Sequence, residues 1–282
     1  MNRQAPYVAA IHDLSGVGRC ALTIVLPVLS AMGCQCAPLP TAYLSASTIY
    51  PPSDHFIFRD LTGEMEGSAA HWGELDIRFD AVYSGFVGSL RQLGVVQDFV
   101  KGFRGERTLV MVDPVMGDHG KTYRTYTPEM CREMEALART ADIITPNMTE
   151  AAILLHEPYD KAPDSEQGWR EWVERLSLNG SRSVILTGIE PEKGMVGAAC
   201  FDREKGAYTQ AVTQKEAGAF PGTGDLFSSV ALGFLLRGED LAKATGRAVD
   251  FVALCARHTG ELGTPVPQGV QFEDLLKELF LQ

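Results

Sequence analysis

The sequence predicts an α/β protein whose mostly parallel sheet is covered by helices on both faces. Short apolar runs alternate with helical segments along the chain, which is the pattern of successive strand–helix units. The runs at 108–114, 141–147 and 182–188 share one design, an apolar strand that ends in a polar residue, glycine or proline. No tandem repeat, low-complexity tract or linker interrupts the 282 residues, so we expect a single domain, residues 1–282.

The N-terminal elements follow from local pattern. Residues 7–13 (YVAAIHD) predict a buried strand, and a helix is expected to follow over 19–33. A second extended segment is predicted at 36–48, and the next stretch, 49–65, reads as an irregular flap or edge. Residues 79–86 and 88–103 predict a further strand and helix.

The C-terminal half continues this pattern. Residues 195–202 and 206–214 predict a hairpin at the far side of the sheet, and helices are expected from about Gly224, Leu241 and Glu273. In such sheets, ligands bind beyond the carboxyl ends of the strands. The residues predicted at those ends are Asp13, Gly85, Asp113, Thr145, Asn147, Thr187 and Gly188.

Composition excludes some classes of partner. The net charge of −11 argues against nucleic acid or an anionic membrane surface as a main partner. The N-terminus has no signal-peptide pattern and no apolar stretch reaches membrane-spanning length, which predicts a cytoplasmic protein. The six cysteines form no C-x-x-C pair and are expected to be reduced thiols.

Two glycine-containing motifs imitate nucleotide sites. "GVGRCA" (16–21) fits a dinucleotide fingerprint, but no Asp or Glu occurs from Leu14 to Ser53 to hold a ribose, which disfavours a nicotinamide oxidoreductase. "VMGDHGKT" (115–122) ends like a P-loop. Val115 is too large for its first position and no apolar helix follows directly, so a Walker-type site is disfavoured.

The segment 219–238, "AFPGTGDLFSSVALGFLLRG", places small residues and a carboxylate where a helix begins. Gly222, Thr223 and Gly224 could present unpaired backbone N–H groups to an anion. Asp225 could accept the proton of a substrate hydroxyl. The alternative is a turn followed by a carboxylate that the helix dipole favours.

Carboxylates and an amide at three other strand ends add to this segment. "DPVMGD" (113–118) supplies Asp113 and Asp118, and "TPNMTE" (145–150) supplies Asn147 and Glu150. Hard oxygen ligands of this kind suit Mg²⁺. The alternative for Asn147 and Glu150 is an N-cap with a capping-box partner, N-x-x-E.

The segment 219–238, together with "VDPVMGD", "ADIITPNMTEAAILL" and "ILTG", resembles the pyridoxal kinase branch of the ribokinase-like vitamin kinases. The resemblance extends over nearly the whole chain, from Ile11 to about Leu236. The resemblance implies a three-layer α/β/α fold with a central, mostly parallel sheet. It implies ATP-dependent phosphorylation of the 5′-hydroxymethyl group of a B6 vitamer: pyridoxal, pyridoxamine or pyridoxine. ATP, Mg²⁺, a monovalent cation (usually K⁺) and a homodimer belong to the same expectation.

The resemblance also implies roles for individual residues. Asp225 would be the base for the substrate hydroxyl, and the anion hole for the migrating phosphoryl group would be formed by Gly222, Thr223 and Gly224. Asp118 and Glu150 would act through Mg²⁺, directly or through bound waters. A monovalent-cation site would be formed by Asp113, Thr145 and Thr187. The residues expected along ATP are Asn147, Thr187, Gly188, Glu216, Gly218 and Thr223.

On the vitamin side, the resemblance places Asp13, Thr48 and Phe86 beside the substrate. Two positions depart from the family. Asp13 or His12 stands where family members often carry Ser, and Phe86 replaces the Tyr of a common Gly-Tyr pair. "HDLSG" is also similar to the "SDSSG" of hydroxymethylpyrimidine kinases. Hydroxymethylpyrimidine is therefore the alternative substrate, and a non-catalytic binding protein on the same fold is the second alternative.

Overall fold

The computed structural model describes residues 5–280 of the chain. Its main element is a nine-stranded sheet. The strands are β1 (Tyr7–Ser15), β2 (Gln35–Leu44), β3 (Phe58–Asp60), β4 (Ala81–Ser84), β5 (Leu109–Val112), β8 (Ile143–Ile144), β9 (Ser183–Ile189), β10 (Met195–Asp202) and β11 (Ala207–Gln214). A separate hairpin consists of β6 (Gly117–Asp118) and β7 (Lys121–Thr122).

The sheet order is β11-β10-β9-β8-β5-β4-β1-β2-β3. From β2 to β9 all neighbouring pairs are parallel, whereas β3 at one edge and the β10–β11 hairpin at the other are antiparallel. The chain places β2 on one side of β1 and β4 on the other. The connections that leave β1 and β4 therefore diverge, and ligands bind at such a switch point beyond the carboxyl ends of the strands.

Helices cover both faces of the sheet. One face carries α1 (Leu22–Ala31), α7 (Thr223–Leu236) and α8 (Leu241–Glu261), whose apolar side chains form one core with β1 and β4. On the other face, a second core is formed by α2 (Thr62–Glu74), α3 (Leu90–Phe103), α4 (Pro128–Arg139), α5 (Met148–Leu155) and α6 (Glu166–Leu176). The predicted three-layer α/β/α architecture is confirmed.

Polar caps fix where several helices begin. The side chains of Ser89, Thr127, Ser165 and Asp240 each accept a hydrogen bond from a backbone N–H in the first turn of α3, α4, α6 and α8, respectively. Such caps satisfy N–H groups that have no partner inside the helix. Between residues 5 and 280, every helix is too short or too polar to span a bilayer.

The structure differs from the sequence-based expectation in four places. The segment 49–65 contains β3, which forms an edge of the sheet as one of the two expected alternatives had it, but it is not irregular throughout because α2 also begins there. The second strand ends at Leu44 rather than Thr48, and α4 lies in a stretch for which no element was expected. The helix expected from Glu273 is a 3₁₀ helix, Glu273–Leu279. β3 is exposed along its length, and only Thr62 and Met65 of α2 are buried, so neither element carries a strong apolar period.

Gly85, which follows β4, gives a test of how β1 and β4 pack at the switch point. His12 of β1 is fully buried with its ring edge-on to Tyr83 (centroids 4.4 Å apart), and a methyl group at Gly85 would overlap the His12 ring. We expect Gly85→Ala to lower the free energy of unfolding by about 1–3 kcal/mol in urea denaturation, because the core must shift to admit it.

Gly94→Ala is the matched control. Gly94 lies in α3, and a methyl group added there would have no atom of another part of the structure within 4 Å. It is expected to raise the free energy of unfolding by about 0.5–1 kcal/mol, since alanine costs less conformational entropy in a helix than glycine. Equal urea midpoints for Gly85→Ala and the unmodified protein would contradict this account of the packing.

Candidate active site

The backbone at the start of α7 has a conformation and a packing that require glycine at position 222. Gly222 precedes the helix with φ +86°, a left-handed conformation that glycine adopts without strain. A methyl group at Gly222 would come within 2.5 Å of the carbonyl oxygen of Arg19, so the β1–α1 loop packs directly on this backbone. Among the described residues no side chain caps α7, and the N–H of Thr223 makes only a long, 3.4 Å bond to the carbonyl of Phe220. First-turn N–H groups of this kind can receive an anion.

Asp225 lies in the first turn of α7, and its carboxylate is turned toward the β1–α1 loop. Its Oδ2 accepts a hydrogen bond from the backbone N–H of Ala21 at 2.8 Å. Desolvation of this partly buried carboxyl raises the pKa of Asp225 to about 6, although the bond from Ala21 acts in the opposite direction. A carboxyl whose pKa lies this close to neutrality is suited to take up and release a proton.

Asp13 is a second acid near Asp225. It lies near the end of β1, is 8% exposed, and its Oδ2 accepts a hydrogen bond from the Ser15 hydroxyl at 3.3 Å. Burial, and then the negative charge of Asp225, raise the pKa of Asp13 to about 7. The two carboxyls therefore lie close enough to interact electrostatically at the switch point between β1 and β4.

Asp113 and Thr145 follow the neighbouring strands β5 and β8 and meet α7 at Ser228. The Ser228 hydroxyl lies 3.4 Å from Asp113 Oδ2 and 3.1 Å from Thr145 Oγ1, and all three residues are buried. Burial and the charge of Asp225 raise the pKa of Asp113. Sequence analysis missed Ser228. The available signal was its position three residues after Asp225, on the same face of α7.

Asn147 and Glu150 form a capping box at the start of α5. Asn147 Oδ1 accepts bonds from the N–H groups of Thr149 (2.8 Å) and Glu150 (3.0 Å), and Glu150 Oε2 accepts from the Asn147 N–H (2.9 Å). Glu150 Oε1 also accepts from the Met116 N–H at 3.1 Å, while Asn147 Nδ2 donates to the Gly117 carbonyl at 2.9 Å. The helix-capping interpretation of this pair therefore holds in the structure. Any additional role toward a nucleotide or metal would be exercised from within this cap.

Asp118 lies on the β6–β7 hairpin, outside the buried group. Its side chain is about half exposed (53%), and its Oδ1 accepts a bond from the His119 N–H at 2.8 Å. The hairpin is attached to α5 by the Gly120 N–H, which donates to Thr149 Oγ1 at 2.9 Å. Within residues 5–280, no group of three or more His, Cys, Asp or Glu side chains is arranged to hold a metal. Asp118 and Glu150 thus offer two carboxylates rather than a closed cage.

The remaining predicted residues flank this centre. Thr187 forms a parallel β-bridge with Asn147, and its hydroxyl lies 3.4 Å from the Pro146 carbonyl. Glu216 binds Arg257 at 2.9 Å beside the exposed Gly218, and Gly188 is exposed at the end of β9. Thr48 is exposed on the loop after β2. Phe86 is partly buried, with its ring 6.3 Å from that of Tyr126.

Comparison with known proteins identifies the family of the chain. Residues 70–268 match the phosphomethylpyrimidine kinase family. A Bacteroides thetaiotaomicron protein, provisionally named a phosphomethylpyrimidine kinase and crystallised in a form with pyridoxal, is 41% identical. Its TM-score is 0.92, with 98% of this chain and 96% of that chain covered. Pyridoxal kinase from Lactobacillus plantarum is 30% identical, with a TM-score of 0.89 and 98% and 97% coverage.

Two curated relatives align over shorter stretches. A Caenorhabditis elegans protein, provisionally named a pyridoxal kinase, is 29% identical over 186 residues, 63% of this chain and 56% of the relative. The alignment with a Schizosaccharomyces pombe relative covers 46% of that protein, so the chain spans about half the length of these two relatives. The chain belongs to the phosphomethylpyrimidine kinase family and, within the ribokinase-like superfamily, to the pyridoxal kinase branch.

Proposed function

We propose that the protein is an ATP-dependent kinase that phosphorylates the 5′-hydroxymethyl group of a B6 vitamer, giving the 5′-phosphate and ADP. The observation that carries this proposal is the carboxylate of Asp225. It has a raised pKa and lies at the start of a helix whose first turn no described side chain caps. A base beside an anion-binding backbone is what phosphoryl transfer to an alcohol requires. The relative crystallised with pyridoxal supports the choice of substrate class.

Asp225 accepts the proton of the attacking hydroxyl in this mechanism. The Ala21 N–H fixes the direction of the carboxylate, so that the other oxygen is available to the substrate. Gly222, Thr223 and Gly224 direct backbone N–H groups toward the charge that develops on the phosphoryl oxygens. Asp13, Thr48 and Phe86 contact the vitamin ring. Asp13 can accept or donate a hydrogen bond near neutral pH, because its pKa is about 7.

The residues present fit a magnesium–nucleotide site. Mg²⁺ usually keeps several waters and takes one or two carboxylates together with phosphate oxygens, which matches the exposed Asp118 and the buried Glu150. When bound, it neutralises phosphate charge. Oxygen ligands for a monovalent cation are offered by Asp113, Thr145 and Thr187. The residues we assign to ATP are Asn147, Thr187, Gly188, Glu216, Gly218 and Thr223.

The pyrimidine alternative stays open because the family model is that of phosphomethylpyrimidine kinases and because Asp13 stands in the "HDLSG" context. The single domain over residues 1–282, a homodimer and a cytoplasmic location complete the proposal. They are supported by composition and by the family resemblance.

Substrate assays test the proposed reaction. With ATP, Mg²⁺ and K⁺, we expect ADP release with pyridoxal, pyridoxamine or pyridoxine, measured by a coupled assay, above the rate without acceptor. Hydroxymethylpyrimidine is assayed in parallel. ADP release with the pyrimidine alone would support the alternative substrate, and no ADP release with any of the four would contradict a kinase function.

Replacing the base tests the role of Asp225. Asp225→Asn is expected to lower kcat by about 10²–10⁴-fold, because an amide cannot accept the hydroxyl proton. Nucleotide binding, measured by calorimetry, should change little. Asp250→Asn is the matched control, since Asp250 is exposed on α8. Retention of full kcat in Asp225→Asn would rule out this base.

The pH dependence follows from the pKa of Asp225. The ionised carboxylate is the active form, so kcat/KM should fall as the pH drops below about 6 and level off above it. The measurement is kcat/KM for the acceptor between pH 5 and 8 at constant ionic strength. Asp250→Asn should show the same acid limb. A flat profile across this range would contradict the assignment.

A further inference from the structure

The side chain of Arg19 joins the β1–α1 loop to the C-terminal part of the chain. Its Nε lies 2.6 Å from Glu273 Oε1, and a second guanidinium nitrogen donates to the Gln268 carbonyl at 3.2 Å. The Arg19 backbone N–H donates to the same carbonyl, also at 3.2 Å. The Arg19 side chain is 23% exposed, so most of it lies against these partners. We call residues 266–273 the C-terminal brace.

The same loop holds the proposed base. Ala21, two residues after Arg19, donates its N–H to Asp225 Oδ2. Ala21 has φ +47° and ψ −129°, a positive-φ conformation outside the left-handed helical region that is unfavourable for a residue with a side chain. Such a backbone persists only where its surroundings hold it. The side chain of Arg19 joins the loop that contains this strained backbone to the C-terminal brace.

The C-terminal brace also contacts the proposed anion hole. The Val270 N–H donates to the Pro221 carbonyl at 2.9 Å, directly before Gly222. Gly222 in turn packs against the Arg19 carbonyl. Residues 16–21, 219–222 and 266–273 therefore meet at one place, although they come from opposite ends of the chain.

We propose that Arg19 is a positioning residue for phosphoryl transfer, through which the C-terminal brace fixes the Ala21 N–H on Asp225 and the backbone at Gly222. In this proposal Arg19 contacts neither the attacking hydroxyl nor the migrating phosphoryl group. This inference rests on the proposed function for its kinetic consequence, whereas its structural consequence can be measured without turnover.

Loss of the Arg19 contacts should weaken the Ala21 hydrogen bond. That bond lowers the pKa of Asp225, so the acid limb of kcat/KM should move to higher pH. The other titratable groups around Asp225 are Asp13 at β1, Asp113 after β5, Tyr83 on β4, Cys20 in the loop itself and Tyr123 after β7. None of these is changed by a substitution at Arg19.

The test compares Arg19→Met and the milder Glu273→Gln with a matched control, Arg91→Met. Arg91 forms a two-bond ion pair with Glu66 between α3 and α2, at 3.0 and 2.7 Å. We expect Arg19→Met to lower kcat by about tenfold, within the range that small misplacements of reacting groups produce. The acid limb should shift to higher pH, and Arg19→Lys should restore part of kcat. Arg91→Met should change neither quantity.

Amide hydrogen exchange, read by mass spectrometry, supplies the measurement that does not depend on activity. Peptides that cover residues 16–22 and 219–226 should exchange several-fold faster in Arg19→Met and Glu273→Gln than in Arg91→Met. Unchanged exchange there in both variants would overturn the proposal, as would a fall in kcat with no shift of the acid limb. If the unmodified protein phosphorylates none of the tested alcohols, the proposed function fails while the exchange result still decides the role of Arg19.

Discussion

The hydrogen bond from the Ala21 N–H to the Asp225 carboxylate joins the first strand–helix connection to the start of α7, across 204 residues of sequence. It joins an alanine with positive φ on one side to a helix preceded by a glycine with positive φ on the other. Both conformations are unfavourable for ordinary residues and are held by the packing of Gly222 on the Arg19 carbonyl. The direction of the Asp225 carboxylate and the backbone at the helix N-terminus both depend on this contact.

The parallel sheet brings carboxyl groups together at the carboxyl ends of its strands. Asp13, Asp113 and Glu150 are each at least nine-tenths buried, and burial raises the pKa of each carboxyl. Carboxylates in such an environment are costly when ionised. Groups of this kind occur at sites that bind cations or transfer protons. The proposed transfer of a phosphoryl group from a magnesium nucleotide requires both. Under the proposed function, the same carboxyls that lower stability would serve the reaction.

Asn147 and Glu150 show that a local motif can carry a structural and a functional interpretation at once. Their capping box closes the first turn of α5, and the same side chains bind the backbone of Met116 and Gly117 next to the β6–β7 hairpin. The cap therefore positions the hairpin that carries Asp118. A substitution at either residue would disturb helix, hairpin and site together, so loss of activity alone would not separate these roles.

Local pattern alone determined the alternation of strands and helices, the C-terminal hairpin and the strand ends at which Asp113, Thr145 and Asn147 lie, because apolar period and turn residues act over a few positions. It did not predict β3 and α2, where exposed or glycine-containing segments have no apolar period, or α4. Tertiary structure alone decided that Ser228 joins Asp113 and Thr145, that Asp13 faces Asp225, and that Arg19 reaches Glu273. These contacts join residues far apart in the chain. They exist only once the sheet order has placed β1 between β2 and β4 and brought α7 against α1, which no local pattern encodes.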